Sequence, residues 1–174
     1  AVISLGGIVA WGSLRVAGNK FDQSIADYIK KKYGLAIGES TAENIKISVG
    51  SAIPNRSKLE VKIRGRDIAS GLPRDLTINT SEVVDAISPH LVDIMNSVQS
   101  VFNVTPPELA ADIMEKGIIL SGGSAQLRDL EELFKRSLGV SSYVAEDPFY
   151  CVAKGTATVL GHLDVYKRTL LNKR

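Results

Sequence analysis

A single cysteine, Cys151, leaves the chain without an internal disulfide, so packing alone must hold its fold. No basic N-terminal stretch leads into an apolar run of the kind that directs secretion, and a reducing cytosol is the expected setting. Histidine is nearly as scarce. His90 and His162 stand far apart, with no cysteine or carboxylate cluster at ligand spacing, which argues against a metal centre. No apolar stretch approaches the roughly 18–20 residues that span a bilayer. Charge of one sign is missing too: the 21 basic and 19 acidic residues are interspersed, for a formal charge of +2. There is no basic, aromatic-interleaved stripe of the kind that grips nucleic acid, which is therefore not an expected partner. What remains is 174 residues that are 44% hydrophobic and 23% charged. That composition is ordinary for a globular protein and fits one domain, or two small lobes sharing a core.

The chain opens on the apolar run Ala1-Val2-Ile3-Ser4-Leu5, with no starting methionine and no preceding turn, and is expected to begin inside a strand. Ala1–Leu5 and Ile8–Val16 read as a β-hairpin joined at Gly6-Gly7. Phe21, Ile25, Tyr28 and Ile29 recur at helical spacing, followed by Lys30-Lys31-Lys32, read as solvated surface, and by the stop signal Gly34. Ser40-Thr41-Ala42-Glu43 has the form of a capping box and predicts a short helix over Thr41–Val49 that stops at Gly50. Ser51–Lys58 reads as an exposed loop. Leu59–Arg64 alternates apolar and charged residues and is expected to pair with Leu76–Ile78 across Gly65–Pro73.

From Ser81 a long amphipathic helix, with Val83, Val84, Ile87, Leu91, Ile94, Met95, Val98 and Val101 on its buried side, should run to Thr105-Pro106-Pro107, where Pro106 starts another helix through about Met114. Gly117–Ser121, the turn Gly122-Gly123-Ser124 and the helix marked by Leu127, Leu130, Leu133, Phe134 and Leu138 read as a βα unit. Tyr143-Val144-Ala145 resembles a further parallel strand, and Pro148 opens a closing helix in which Val152, Ala153, Ala157, Leu160 and Leu163 can pack, ahead of a fraying polar tail, Lys167–Arg174. The two ends of the chain, residues 1–17 and 104–174, are expected to build one α/β sheet, with residues 18–103 as an inserted lobe.

Few residues carry chemistry by spacing alone. Gly122-Gly123-Ser124-Ala125 lies where a strand gives way to a helix, which lets backbone approach a ligand closely and aims helix N–H groups at it, although a plain tight turn looks the same. Glu43 and Lys46 share a helical face; they can clasp a ribose hydroxyl and an adenine edge, or make an i,i+3 salt bridge, and spacing favours the salt bridge. Asp22 reads as a helix-start carboxylate or as the lining of a phosphate cleft. Nothing has the form of a Ser-His-Asp or Cys-His set.

In their order along the chain these segments resemble the C-terminal half of the MreB family, the bacterial relatives of actin, over nearly every residue from Ala1 to about Leu163. The resemblance rests on Ala1–Val9, Arg15-Val16-Ala17-Gly18, Ile37-Gly38-Glu39, Thr41–Lys46, Gly71-Leu72-Pro73-Arg74, Thr105–Ile113, Gly117–Gly123 and Ala145–Pro148. Three positions depart from it: Asn19 stands where the family usually has Asp, Ser124 where it has a third glycine, and Gln126 where leucine or alanine is common.

The resemblance implies an α/β fold, an actin-like (ribonuclease H-like) ATPase lobe with an inserted α+β subdomain, N-terminally truncated. It implies an ATP site with Ala42, Glu43, Asn44, Ile45 and Lys46 on one side and Gly122, Gly123, Ser124 and Ala125 on the other. Mg²⁺ and most phosphate contacts would lie upstream of Ala1, leaving this piece inactive alone. It also implies a cytoplasmic, membrane-associated filament that directs cell-wall synthesis and rod shape. The partners would be copies of itself, inner-membrane cell-wall elongation proteins, and the membrane surface through the upstream half. A non-polymerising ATPase of the actin/Hsp70 superfamily, or a nucleotide-free scaffold, is the alternative; Gly71–Arg74 and Thr105–Ile113 resemble MreB and not chaperones.

Overall fold

In the computed structural model, residues 1–54 and 59–166 are described; the far part of the expected Ser51–Lys58 loop and the tail Lys167–Arg174 lie outside them. The hairpin forms, but from β1 (Val2–Ser4) and a β2 (Gly7–Ala10) that stops well short of Val16. Its turn is Leu5-Gly6, not Gly6-Gly7: both turn residues take positive φ, 50° and 77°, the geometry that matches the twist of two tightly joined strands.

Helix α1 (Gly18–Tyr33) ends as expected, on Gly34 in the left-handed conformation, with Gly34 N–H donating to the Lys30 carbonyl. After a two-residue strand, β3 (Leu35–Ala36), comes α2 (Glu39–Val49). It begins earlier than its sequence signal, with Gly38 as N-cap and no side-chain cap, so Ser40 to Glu43 lie inside the helix and the expected capping box is not made. A capping box does form where none was expected: Asn79 accepts from the Glu82 N–H and Glu82 from the Asn79 N–H, starting α3 (Thr80–Asn103).

Between α2 and α3 lie β4 (Glu60–Asp67) and β5 (Pro73–Asn79), antiparallel and longer than predicted, with β3 on the far side of β4. Arg64 stands directly opposite Asp75 in this ladder, and its guanidinium, with Lys62, holds the Asp75 carboxyl well below the usual carboxylate range. The exposed loop expected from Ser51 is anchored at its start, since Ser51 and Ala52 are buried.

The chain then runs through α4 (Pro107–Lys116), β6 (Ile118–Leu120), a 3-10 turn (Gly123–Gln126), α5 (Leu130–Leu138), β7 (Ser142–Val144) and α6 (Cys151–Gly161). β6 and β7 pair in parallel as expected, but among the described residues no ladder joins them to the β1–β2 hairpin, so the single sheet expected from the chain ends is not formed. The core sits elsewhere. Phe21, Ile25, Ile29, Ile45, Ile78 and Ile87 are almost fully buried, and the same apolar cluster reaches α5 through Leu130 and Phe134. By contrast Val152, Ala153, Ala157, Leu160 and Leu163, expected to pack, are exposed, and neither α4 nor α6 buries any residue. No helix among the described residues is long and apolar enough to cross a membrane.

Glu82 is a buried carboxylate that joins α1 to α3. Burial alone would raise its pKa, but hydrogen bonds from the Lys32 ammonium, the Tyr33 hydroxyl and the Asn79 N–H outweigh burial and hold it below its ordinary 4.5. Glu82→Ala is expected to destabilise the chain by about 2–3 kcal/mol, combining a lost cap with lost charged hydrogen bonds. The sign of the pH dependence follows from the lowered folded pKa. The ionised group contributes above its unfolded pKa, and that contribution fades as pH falls through the folded value. The stability gap between wild type and Glu82→Gln should therefore narrow below about pH 4 in urea titrations, and a gap constant down to pH 2 would contradict the network.

Candidate functional site

Ala42, Ile45 and Val49 anchor α2 in the core, which sets the rotation of the helix and brings Lys46 to its rim, with a side chain 17% exposed. Lys46 does not pair with Glu43, as the spacing suggested. Its ammonium lies 2.8 Å from Asp22 Oδ2 and 3.5 Å from the Gly18 carbonyl, both on the first turns of α1. Asp22 is neither a cap nor exposed; it is a buried carboxylate on the apolar face of α1. Glu43 and Asn44 face outward, while Ala42 and Ile45 point into the core and have only backbone to offer a ligand.

The second half of the predicted site approaches the same place. A Cβ on Gly18 would stand 3.3 Å from Lys46 Nζ and 3.3 Å from Ser124 Oγ, so the absence of a side chain at Gly18 is what lets these two polar groups converge. Ser124 comes from the 3-10 turn after β6. That turn is fixed by Gly122, at φ 90° and ψ 168°, a conformation open to glycine almost alone. The Gly122 N–H donates to the Pro148 carbonyl at 2.7 Å, and Gly123 faces the Phe149 ring. The expectation of a helix N-terminus directly at the glycine corner is corrected here, because α5 starts only at Leu130. Ala125 is buried and lines a different concavity, shared with Arg128, Glu131, Lys135 and Tyr143 between α5 and β7, which contains neither Glu43 nor Lys46.

The two halves are tied together behind the site. Arg128 donates to the Ser48 carbonyl at the end of α2, the Ala52 N–H donates to the Arg128 carbonyl, and the Ser51 hydroxyl donates to Asp129. Gly50 fits tightly between them. Relative to the predicted set, Lys46 and Ser124 converge, Glu43 and Asn44 stand on the adjoining exposed face, and Ala42 and Ile45 serve the core. Gly18 was not assigned from sequence, and Asp22 was read there only as a helix-start carboxylate or the lining of a phosphate cleft, not as the partner of Lys46. The signal for Asp22 was present, since it falls on the helical stripe of Phe21, Ile25 and Ile29, where a carboxylate requires a buried partner.

Chemically the place offers an ammonium, a hydroxyl and backbone carbonyls without a nucleophile–base pair, a set suited to binding a hydroxylated, hydrogen-bonding ligand. Among the described residues no group of three or more His, Cys, Asp or Glu side chains gathers as a metal site.

The MreB/Mbl protein family matches residues 1–168 of the chain. The cell shape-determining protein MreB of Escherichia coli (strain K12) is 42% identical over 173 residues, 99% of this chain and 50% of the relative. The cell shape-determining protein Mbl of Bacillus subtilis (strain 168) is 47% identical over 164 residues, 94% of this chain and 49% of the relative. The crystal structure of MreB 5 of Spiroplasma citri bound to AMPPNP superposes with a TM-score of 0.89 at 36% identity, covering 97% of this chain and 50% of that one. A cryo-EM structure of the MamK filament, at 22% identity and a TM-score of 0.67, shares the fold. The chain thus spans about half the length of the curated relatives it matches.

Proposed function

The chain belongs to the MreB/Mbl family of actin-like cytoskeletal proteins, and on that footing we propose that it binds the nucleoside part of ATP between α2 and the Gly122–Ala125 turn, within a filament-forming ATPase. The observation that carries this reading is the convergence of Lys46 Nζ and Ser124 Oγ over the bare Cα of Gly18. The MreB5 structures of Spiroplasma citri, described as bound to ADP and to AMPPNP, support it from outside the chain. In this reading Lys46 and Ser124 supply directed hydrogen bonds, the outward Glu43 and Asn44 accept from and donate to ribose hydroxyls, and Gly122 and Gly123 give the turn the tight shape that brings its remaining backbone groups close to the ligand.

When bound, ATP with Mg²⁺ supplies the phosphoryl group whose hydrolysis drives turnover of such filaments. The described residues offer no carboxylate cluster for the cation, so none is assigned to it. Residues 18–103 form the inserted lobe in this reading, and residues 1–17 with 104–174 the nucleotide side. Self-assembly at the inner face of a membrane, alongside cell-wall elongation proteins, is the cellular setting that the family suggests.

The test is made on the product of the full reading frame that carries this chain, by ATP titration and filament pelleting. Wild type is expected to bind ATP and to pellet with it. Lys46→Ala should weaken binding by roughly tenfold or more, the loss of a charged hydrogen bond. The variant must first be verified as folded, because it leaves the Asp22 carboxylate buried without a counter-charge. Unchanged affinity in folded Lys46→Ala would remove the site. ATP binding without pelleting would favour the non-polymerising ATPase, and no binding at all the nucleotide-free scaffold.

A further inference from the structure

Asp22 is 4% exposed and shares the face of α1 that carries Phe21, Ile25 and Ile29. Its Oδ2 accepts from Lys46 at 2.8 Å, while its Oδ1, equally buried, has no hydrogen-bond partner among the described residues. Such a pair adds little stability, because desolvating both charges offsets their attraction and an apolar pair of the same volume serves as well. A pair selected for stability would also have both oxygens satisfied. Its effect on position is larger. A lysine ammonium on a free four-carbon stem is a mobile point charge that attracts phosphate. Here it is pinned between Asp22 and the Gly18 carbonyl, where Ser124 Oγ also approaches, and its charge is cancelled.

We infer that Asp22 is a positioning residue for nucleotide binding: it fixes Lys46 Nζ and neutralises it, so this end of the site presents a directed, net-neutral donor that selects the uncharged nucleoside over the phosphates. This rests on the reading of Lys46 and Ser124 given above and adds the residue that sets their selectivity. Asp22 itself does not touch the ligand.

The experiment is a double-mutant cycle on the full reading-frame product, titrated with ADP and with adenosine, each variant also being melted. Asp22→Asn is expected to weaken adenosine binding roughly tenfold, the scale of one charge-assisted hydrogen bond, with ADP falling less than adenosine because the freed ammonium attracts phosphate. On a Lys46→Ala background Asp22→Asn should cause no further loss of affinity, yet should raise the melting point by removing the unpaired buried charge. A purely structural Asp22 would move melting points and leave the ratio of the two affinities alone.

The inference is overturned if Asp22→Asn leaves adenosine affinity unchanged, if its loss is confined to ADP, or if its effect is as large without Lys46 as with it. Unchanged affinity in folded Lys46→Ala is the separate result that removes the site itself. Should Asp22→Asn not fold, Lys46→Arg keeps the carboxylate paired but displaces the donor. Its melting point should hold while adenosine affinity falls, and wild-type affinity there would equally overturn the proposal.

Discussion

Gly50→Ala should lower the stability of the chain by about 3 kcal/mol, the upper end of what forced overpacking costs. The new Cβ would stand 2.2 Å from the Lys46 carbonyl oxygen and 3.2 Å from Leu127 Cδ1, so it meets the backbone of α2 on one side and the linker to α5 on the other. Neither neighbour can yield freely. The Lys46 carbonyl accepts from the Gly50 N–H, and the linker is held by Arg128 on Ser48 and by Ala52 on Arg128. In a domain of this size the loss corresponds to about 6–12 °C in melting temperature. Gly155→Ala provides the opposite sign. Its Cβ meets nothing within 4 Å inside α6, so replacing a helical glycine by alanine should stabilise by about 0.5–1 kcal/mol. Matched thermal melts of the two variants decide the matter, and equal shifts would mean that the α2 end is not seated as described. Because Gly50 closes the α2 turn that carries Lys46, nucleotide affinity should fall in the same variant, whereas Gly155→Ala should leave it unaltered.

The parts of the fold legible in the sequence were those written in local periodicity. α1 with its Gly34 stop, α3 with its apolar stripe, the break at Thr105-Pro106-Pro107 and the parallel pair β6–β7 all follow from spacing and turn residues. The misreadings are cases in which two local signals competed. Ser40 to Glu43 has the pattern of a capping box, but α2 starts two residues earlier, with Gly38 as its N-cap, which leaves Ser40 inside the first turn and unable to cap. Asn79 and Glu82 carry a weaker-looking pattern that is used, because Glu82 also receives Lys32 and Tyr33 from α1, some fifty residues away in the chain.

The same limit applied to the site. Lys46 could be picked out, but its partner could not, since the choice between Glu43 one turn away and Asp22 on another helix is made by packing α1 against α2. Ser124 is the converse case. Its hydroxyl borders the same space above Gly18 as Lys46 Nζ, an approach visible only once Gly18 is placed between them.

The 174-residue chain expressed by itself should hold ATP more weakly than about 1 mM and should not hydrolyse it. Lys46 and Ser124 can engage base and ribose, but one or two neutral-balanced hydrogen bonds supply only a few kcal/mol, less than the ordering of a ligand consumes. The charge-assisted contacts that grip a triphosphate with Mg²⁺ have no assigned donors or carboxylates among the described residues. The surface should behave distinctively as well. Trp11 is 70% exposed, Ile119 76% and Val152 81%, and α4 and α6 bury none of their residues, so the segment after the hairpin, β6 and α6 each leave large apolar side chains open. Light scattering should rise with concentration, and a hydrophobic dye should bind the chain in its native state. Calorimetric titration with ATP and Mg²⁺, beside a phosphate-release assay, separates the two halves of this expectation. Micromolar binding or turnover above background would mean that these residues hold the triphosphate after all. A monodisperse, dye-silent monomer would mean that the exposed apolar residues find cover within the chain.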